Sequence, residues 1–107
     1  GYVSGGVFYS AGQIPINPAT DTVEADTIEG QAEQACKNVG EVLKAAGTDF
    51  DHVVKTTCFL SDMANFAAFN EVYAKYFTSK PARSCMAVKE LPKNVLCEIE
   101  VIAAVEE

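Results

Sequence analysis

An arginine and a pair of glutamates late in the chain are the residues whose types and spacing most readily support chemistry. Arg83 lies in the run Ala82 to Val88, which reads as a β-strand. Strand side chains alternate, so Arg83, Cys85 and Ala87 share one face while Ala82, Ser84, Met86 and Val88 share the other. A guanidinium is a planar fork that grips a carboxylate through two parallel hydrogen bonds. An arginine on an edge strand can also sit uselessly in water. Here the short Pro81 lead-in and the small Ala82 and Ala87 beside Arg83 favour a pocket. On the last strand, Glu98 and Glu100 share a face with Leu96 and Ile102, opposite Cys97, Ile99, Val101 and Ala103. A carboxylate near Arg83 would stay ionised and orient a water, whereas one desolvated at an interface would rise in pKa and pass protons. Spacing alone equally allows both glutamates to face solvent.

Other reactive types carry less. Cys85 has no neighbouring histidine to activate it, so a small core or interface residue is the better reading than a nucleophile. Cys36, Cys58, Cys85 and Cys97 are widely spaced inside apolar patterns and lack the Cys-x-x-Cys pairs or nearby histidines that zinc requires. They read as reduced thiols. His52, the one histidine, sits between Asp51 and the start of a strand and close to Asp49, the setting of a surface residue. No metal site, Ser-His-Asp triad or phosphate-cradling glycine loop is discernible.

The elements that must position these residues follow from periodicity. Tyr2 to Ser4 and Val7 to Ala11 flank Gly5-Gly6, a pair able to take the positive φ angles of a tight hairpin. Gly12 to Asp26, with two prolines, reads as extended loop. Ile28, Ala32, Ala35, Cys36, Val39, Val42, Leu43 and Ala46 recur at helical spacing, with Asp26 and Glu29 as a capping box and Gly47 at the C-terminal stop. Val53 to Leu60 predicts a largely buried strand. Asp62 caps a second helix, whose Phe66, Phe69, Tyr73, Tyr76 and Phe77 form a stripe read as core. Ala82 to Val88 and Val95 to Val105 then form a closing hairpin around Leu91-Pro92-Lys93-Asn94. The order hairpin, helix, strand, helix, hairpin predicts one α+β domain over 1–107, with both helices on one sheet face and subunit partners covering the other.

Size and charge narrow the function classes. A chain of 107 residues, 49% hydrophobic, supports one core and leaves apolar surface that self-association would bury. A formal net charge of −7 opposes the phosphate backbone, so nucleic acid is a poor partner. No apolar run approaches a membrane span, and no signal-peptide pattern opens the chain, so a soluble, unsecreted protein is expected.

Several runs together resemble one family. Gly12-Gln13-Ile14-Pro15-Ile16-Asn17-Pro18, Val53-Val54-Lys55-Thr56-Thr57, Phe59-Leu60-Ser61-Asp62-Met63 and Phe66 through Asn70-Glu71-Val72-Tyr73 are similar to successive blocks of the Rid/YjgF (reactive intermediate deaminase) family. So are Pro81-Ala82-Arg83-Ser84-Cys85 and Leu91-Pro92 followed by Glu98-Ile99-Glu100, and the resemblance runs from Gly6 to Ala104. It implies a chorismate-mutase-like α+β fold, a mixed sheet with two helices on one face, assembled as a homotrimer with sites in the clefts between subunits. It also implies cofactor-free hydrolysis of 2-iminobutyrate or 2-iminopropionate to 2-keto acids and ammonia. By position, Arg83 would hold the substrate carboxylate and Glu98 orient the attacking water, with Gly12, Asn70 and Cys85 lining the pocket. Independently of the resemblance, the dispersed thiols point to a cytoplasmic compartment, a mitochondrial matrix being open as well.

Two departures stand out. By spacing from Gly12, the substrate-contacting Tyr of the family falls upstream of Gly1, and Tyr2 is out of register with it. The family more often has Ser next to the glycine where this chain reads Ser10-Ala11. These motivate a second reading, a non-catalytic binder or regulator for small carboxylic acids. A third, an endoribonuclease or translation inhibitor as reported for some family members, sits badly with the charge.

Overall fold

The computed structural model describes residues 1–105. Seven main elements follow one another: β1 (Tyr2–Ser4), β2 (Val7–Tyr9), α1 (Ile28–Ala45), β3 (Val53–Leu60), α2 (Phe66–Tyr76), β4 (Ala82–Ala87) and β5 (Cys97–Ala104). Gly5 and Gly6 both take positive φ, 58° and 75°, and close the β1–β2 hairpin at its predicted place. The 12–26 segment is mostly irregular, pinned by an isolated bridge between Gln13 and Ile99.

The sheet runs β1-β2-β5-β3-β4, with β3 and β4 parallel and every other pair antiparallel. The expected closing hairpin is therefore absent: β3 lies between β4 and β5. The reason is the α2 crossover, which returns the chain beside β3 in the same direction, as a strand–helix–strand unit does. β5 then pairs with the other edge of β3. Pro92–Asn94 forms a 3-10 turn, with Lys93 and Asn94 at positive φ, in a link that passes between non-adjacent strands.

Both helices pack on one face. Ala32, Ala35, Cys36, Val39 and Leu43 of α1, with Phe69, Val72 and Tyr73 of α2, bury against Cys58, Leu60, Cys97, Ile99, Val101 and Ala103 of the sheet. β3 is central yet buried on one face only: Val53, Thr56, Cys58 and Leu60 are buried, whereas Val54 is 54% exposed. The opposite sheet face, carrying Tyr9, Thr57, Phe59, Met86, Glu100 and Ile102 by alternation, has no helix over it among the described residues.

Two caps differ from expectation. Thr27, not Asp26, caps α1, its Oγ1 accepting from the Gly30 amide at 3.1 Å. Asp62 accepts from Ala64 N at 2.9 Å and so caps the 3-10 turn Met63–Asn65, which runs directly into α2. Gly47, at φ 83°, ends α1 as predicted.

Candidate functional site

Arg83 projects from β4 toward α2 and is half-buried. Its Nη1 donates to Asn70 Oδ1 at 2.6 Å, and its guanidinium carbon lies 4.5 Å from the centre of the Tyr73 ring and 5.2 Å from that of Phe66. The amide fixes one edge of the fork and the rings hold its plane. Tyr73 is itself held, by a buried 2.8 Å hydrogen bond to Thr56 Oγ1 and by stacking on Phe77 at 4.4 Å. Among the described residues no carboxylate pairs with Arg83. A cleft of about 570 Å³ opens beside it, lined by Asn70, Tyr73, Phe77, Lys80 and Pro81.

The shelter of Arg83 thus comes from α2 and not from its small strand neighbours: Ala82 and Ala87 are exposed. Phe66 and Tyr73, read as core from sequence, serve the arginine as well. The i, i+4, i+7 spacing of Phe66, Asn70 and Tyr73 on one helix face was the available signal. Cys85 is on the same strand face as Arg83 and half-buried; burial raises its thiol pKa, with the Arg83 charge opposing.

Glu98 stands on the other side of the sheet, because Cys97 and Ile99 are buried under the helices and the strand alternates. Its carboxyl lies against Gly12: a Cβ on that glycine would come within 1.8 Å of Glu98 Oε2. Only a residue without a side chain allows this approach. Paired backbone bonds between Gln13 and Ile99, 2.7 and 3.0 Å, hold the Gly12 segment to β5. Asn38 of α1 donates to Ile14 O and Ile16 O at 2.9 and 2.8 Å, tightening the same segment. Buried Gln31 accepts from Leu96 N at 2.7 Å and fixes the entry to β5. Desolvation, and secondarily the charge of Glu100, raise the pKa of Glu98. A small cavity of about 240 Å³ adjoins it, between Phe59, Leu91 and Pro92.

The predicted site residues therefore fall into two groups in one chain. Arg83, Asn70 and Cys85 gather on the helix side, and Gly12 and Glu98 on the open side; the chain does not bring Arg83 and Glu98 together. Glu100 shares a small recess with Lys55 and Thr57 on the open face. His52 bonds Asp49 at 2.6 Å at the surface, as expected. Among the described residues no cluster of three or more His, Cys, Asp or Glu forms a metal site, and no helix is long and apolar enough to cross a membrane.

Two helices on one face of a mixed five-stranded sheet, with an arginine held beside a cleft at its edge, define an α+β architecture. The chain belongs to the family described as Endoribonuclease L-PSP, which matches residues 1–105 and comprises the YjgF, RutC and Rid proteins. It is 50% identical over 107 residues to a Lactococcus lactis protein whose name proposes a regulator, AldR, with 99% of this chain and 85% of that one covered. It is 47% identical over 96 residues to Reactive Intermediate Deaminase A, chloroplastic, of Arabidopsis thaliana, covering 89% of this chain and 51% of that protein. The crystal structure of E. coli TdcF with bound serine superposes with a TM-score of 0.91 at 38% identity, covering 98% of this chain and 85% of that one.

Proposed function

We propose that this protein hydrolyses 2-imino acids, such as 2-iminobutyrate and 2-iminopropionate, to 2-keto acids and ammonia, at sites that two copies of the chain build together. The observation that carries the proposal is the division of the site. A guanidinium that no carboxylate pairs among the described residues and a carboxyl of raised pKa lie on opposite faces of one sheet, so a single site using both needs one face from each of two copies. The helix-free sheet face, with Tyr9 and Met86 exposed on it, supplies the surface for such an assembly, and a closed homotrimer is the proposed form.

In the shared cleft, Arg83 grips the substrate carboxylate bidentately, and Asn70 with the two rings keeps the fork in place beforehand. Glu98 accepts a proton from a water aimed at the electrophilic C=N carbon. Ammonia leaves once the nitrogen of the tetrahedral adduct is protonated, Glu98 returning the proton it took from the water. No cofactor is needed for these steps. The relative named a deaminase and the structure with serine, an amino acid carrying the same carboxylate head, support the reading.

The test couples a dehydratase or amino-acid oxidase that generates the imine to measurement of keto acid release. Acceleration by the protein, lost in Arg83→Ala, is the expected result; no acceleration, or unchanged activity in Arg83→Ala, would falsify the assignment. The regulator reading has one observation in its favour. Ser10 Oγ accepts from Val101 N at 2.8 Å and the next residue is Ala11, so the serine is turned to the β5 backbone and the residue next to Gly12 has no hydroxyl. Keto acid binding without turnover would select that reading.

A further inference from the structure

Arg83 is not the only cation on its cleft. Lys80 lies on the same wall, and although acidic residues outnumber basic ones 15 to 8 in the chain, none lines the cleft among the described residues. Between the two cations the walls are Tyr73, Phe77 and Pro81. At about 570 Å³ the space far exceeds the needs of a four-carbon acid.

The backbone that presents Lys80 is held in place. It takes a positive φ of 53°, its amide donates to Phe77 O at 3.3 Å, and Ser79 Oγ donates to Val53 O at 2.9 Å. Thr78 Oγ1 donates to Asp51 Oδ1 at 3.2 Å. Among the described residues Lys80 has no ion-pair partner.

Resting on the imine-hydrolase reading, we propose that the cleft prefers 2-imino and 2-keto acids bearing a second carboxylate. Arg83 holds the carboxylate next to the reacting carbon, the aliphatic chain lies along Tyr73 and Phe77, and Lys80 takes the distal carboxylate. A compact ammonium on a flexible stem suits an end group whose distance varies, whereas the rigid fork suits the invariant head.

Calorimetry with 2-oxoglutarate and 2-oxobutyrate on wild type, Lys80→Met and Arg83→Ala tests this. Wild type should bind 2-oxoglutarate about tenfold more tightly, the worth of one charge-assisted contact. Lys80→Met should erase that preference and leave 2-oxobutyrate binding unchanged. Equal affinities in wild type, a preference for 2-oxobutyrate, or a preference surviving in Lys80→Met overturns the second subsite while leaving the Arg83 reading intact. Absence of Arg83-dependent binding of either acid overturns both.

Discussion

Gly12→Ala displaces the Glu98 carboxylate without replacing it. The added Cβ would stand 1.8 Å from Oε2 and 2.7 Å from the carboxyl carbon, where ordinary contact begins near 3.4 Å. The obstructing group is the end of a flexible side chain, so the carboxylate retreats by about 1.6 Å while the backbone stays. Gly12 is not among the positive-φ glycines, so alanine fits its conformation and lowers the entropy of the unfolded chain. Folding stability should hold or rise by about 0.5 kcal/mol. Displacing a base by about 1 Å costs about a hundredfold in rate, or about 2.7 kcal/mol of barrier. The assay is steady-state keto acid release beside thermal unfolding, with the loss expected in kcat and Tm preserved. A kcat within threefold of wild type, in a protein whose Glu98→Gln variant is inactive, would refute the link between the glycine and the placement of the base.

Further predictions concern the neighbours. Because desolvation and Glu100 raise the pKa of Glu98, kcat should climb with pH through a midpoint above the ordinary glutamate value, and Glu100→Gln should lower that midpoint; a midpoint unmoved by the substitution contradicts the assigned cause. The same shift fixes a stability trend: the stability Glu98 contributes below its unfolded pKa is lost as pH rises through the higher folded one, so Glu98→Gln should gain on wild type toward neutral pH in denaturant titrations. Tyr73→Phe keeps the ring beneath Arg83 but strands the buried Thr56 hydroxyl, costing about 1–2 kcal/mol in urea unfolding with keto acid affinity unchanged; a tenfold weaker affinity would mean the hydroxyl serves the site directly. Asn38→Leu removes two donors to the Ile14 and Ile16 carbonyls and should cost about 2 kcal/mol, a Tm fall of about 10 °C for a domain of this size, read by calorimetry.

Local periodicity carried the reading of the elements. The α1 stripe from Ile28, the β-branched run at Val53 and the Gly5-Gly6 turn each encode their structure within a few residues, and all three stand where expected. Strand order is different in kind. Pro92 and Asn94 look like hairpin residues, yet which edge of β3 each strand takes depends on the α2 crossover, a property of the whole chain. The N-cap was ambiguous because Asp26 and Thr27 are both good caps, and only geometry chose Thr27. In the site, alternation correctly put Arg83 with Cys85 and Glu98 with Glu100. It could not relate the faces of two separate strands, so their placement on opposite sides of the sheet emerged only from the fold. The approach of Glu98 to Gly12 joins residues from opposite ends of the chain, and no local pattern announces it.

Subunit complementation tests the divided site most directly. Arg83→Ala and Glu98→Gln chains, each inactive alone, are unfolded together, refolded as a mixture and assayed for keto acid release, with mixed oligomers verified by native mass spectrometry. If each site joins Arg83 of one copy to Glu98 of another, random mixing rebuilds intact sites and restores about a quarter of wild-type activity. Verified mixed oligomers that stay as inactive as the parents would contradict the account.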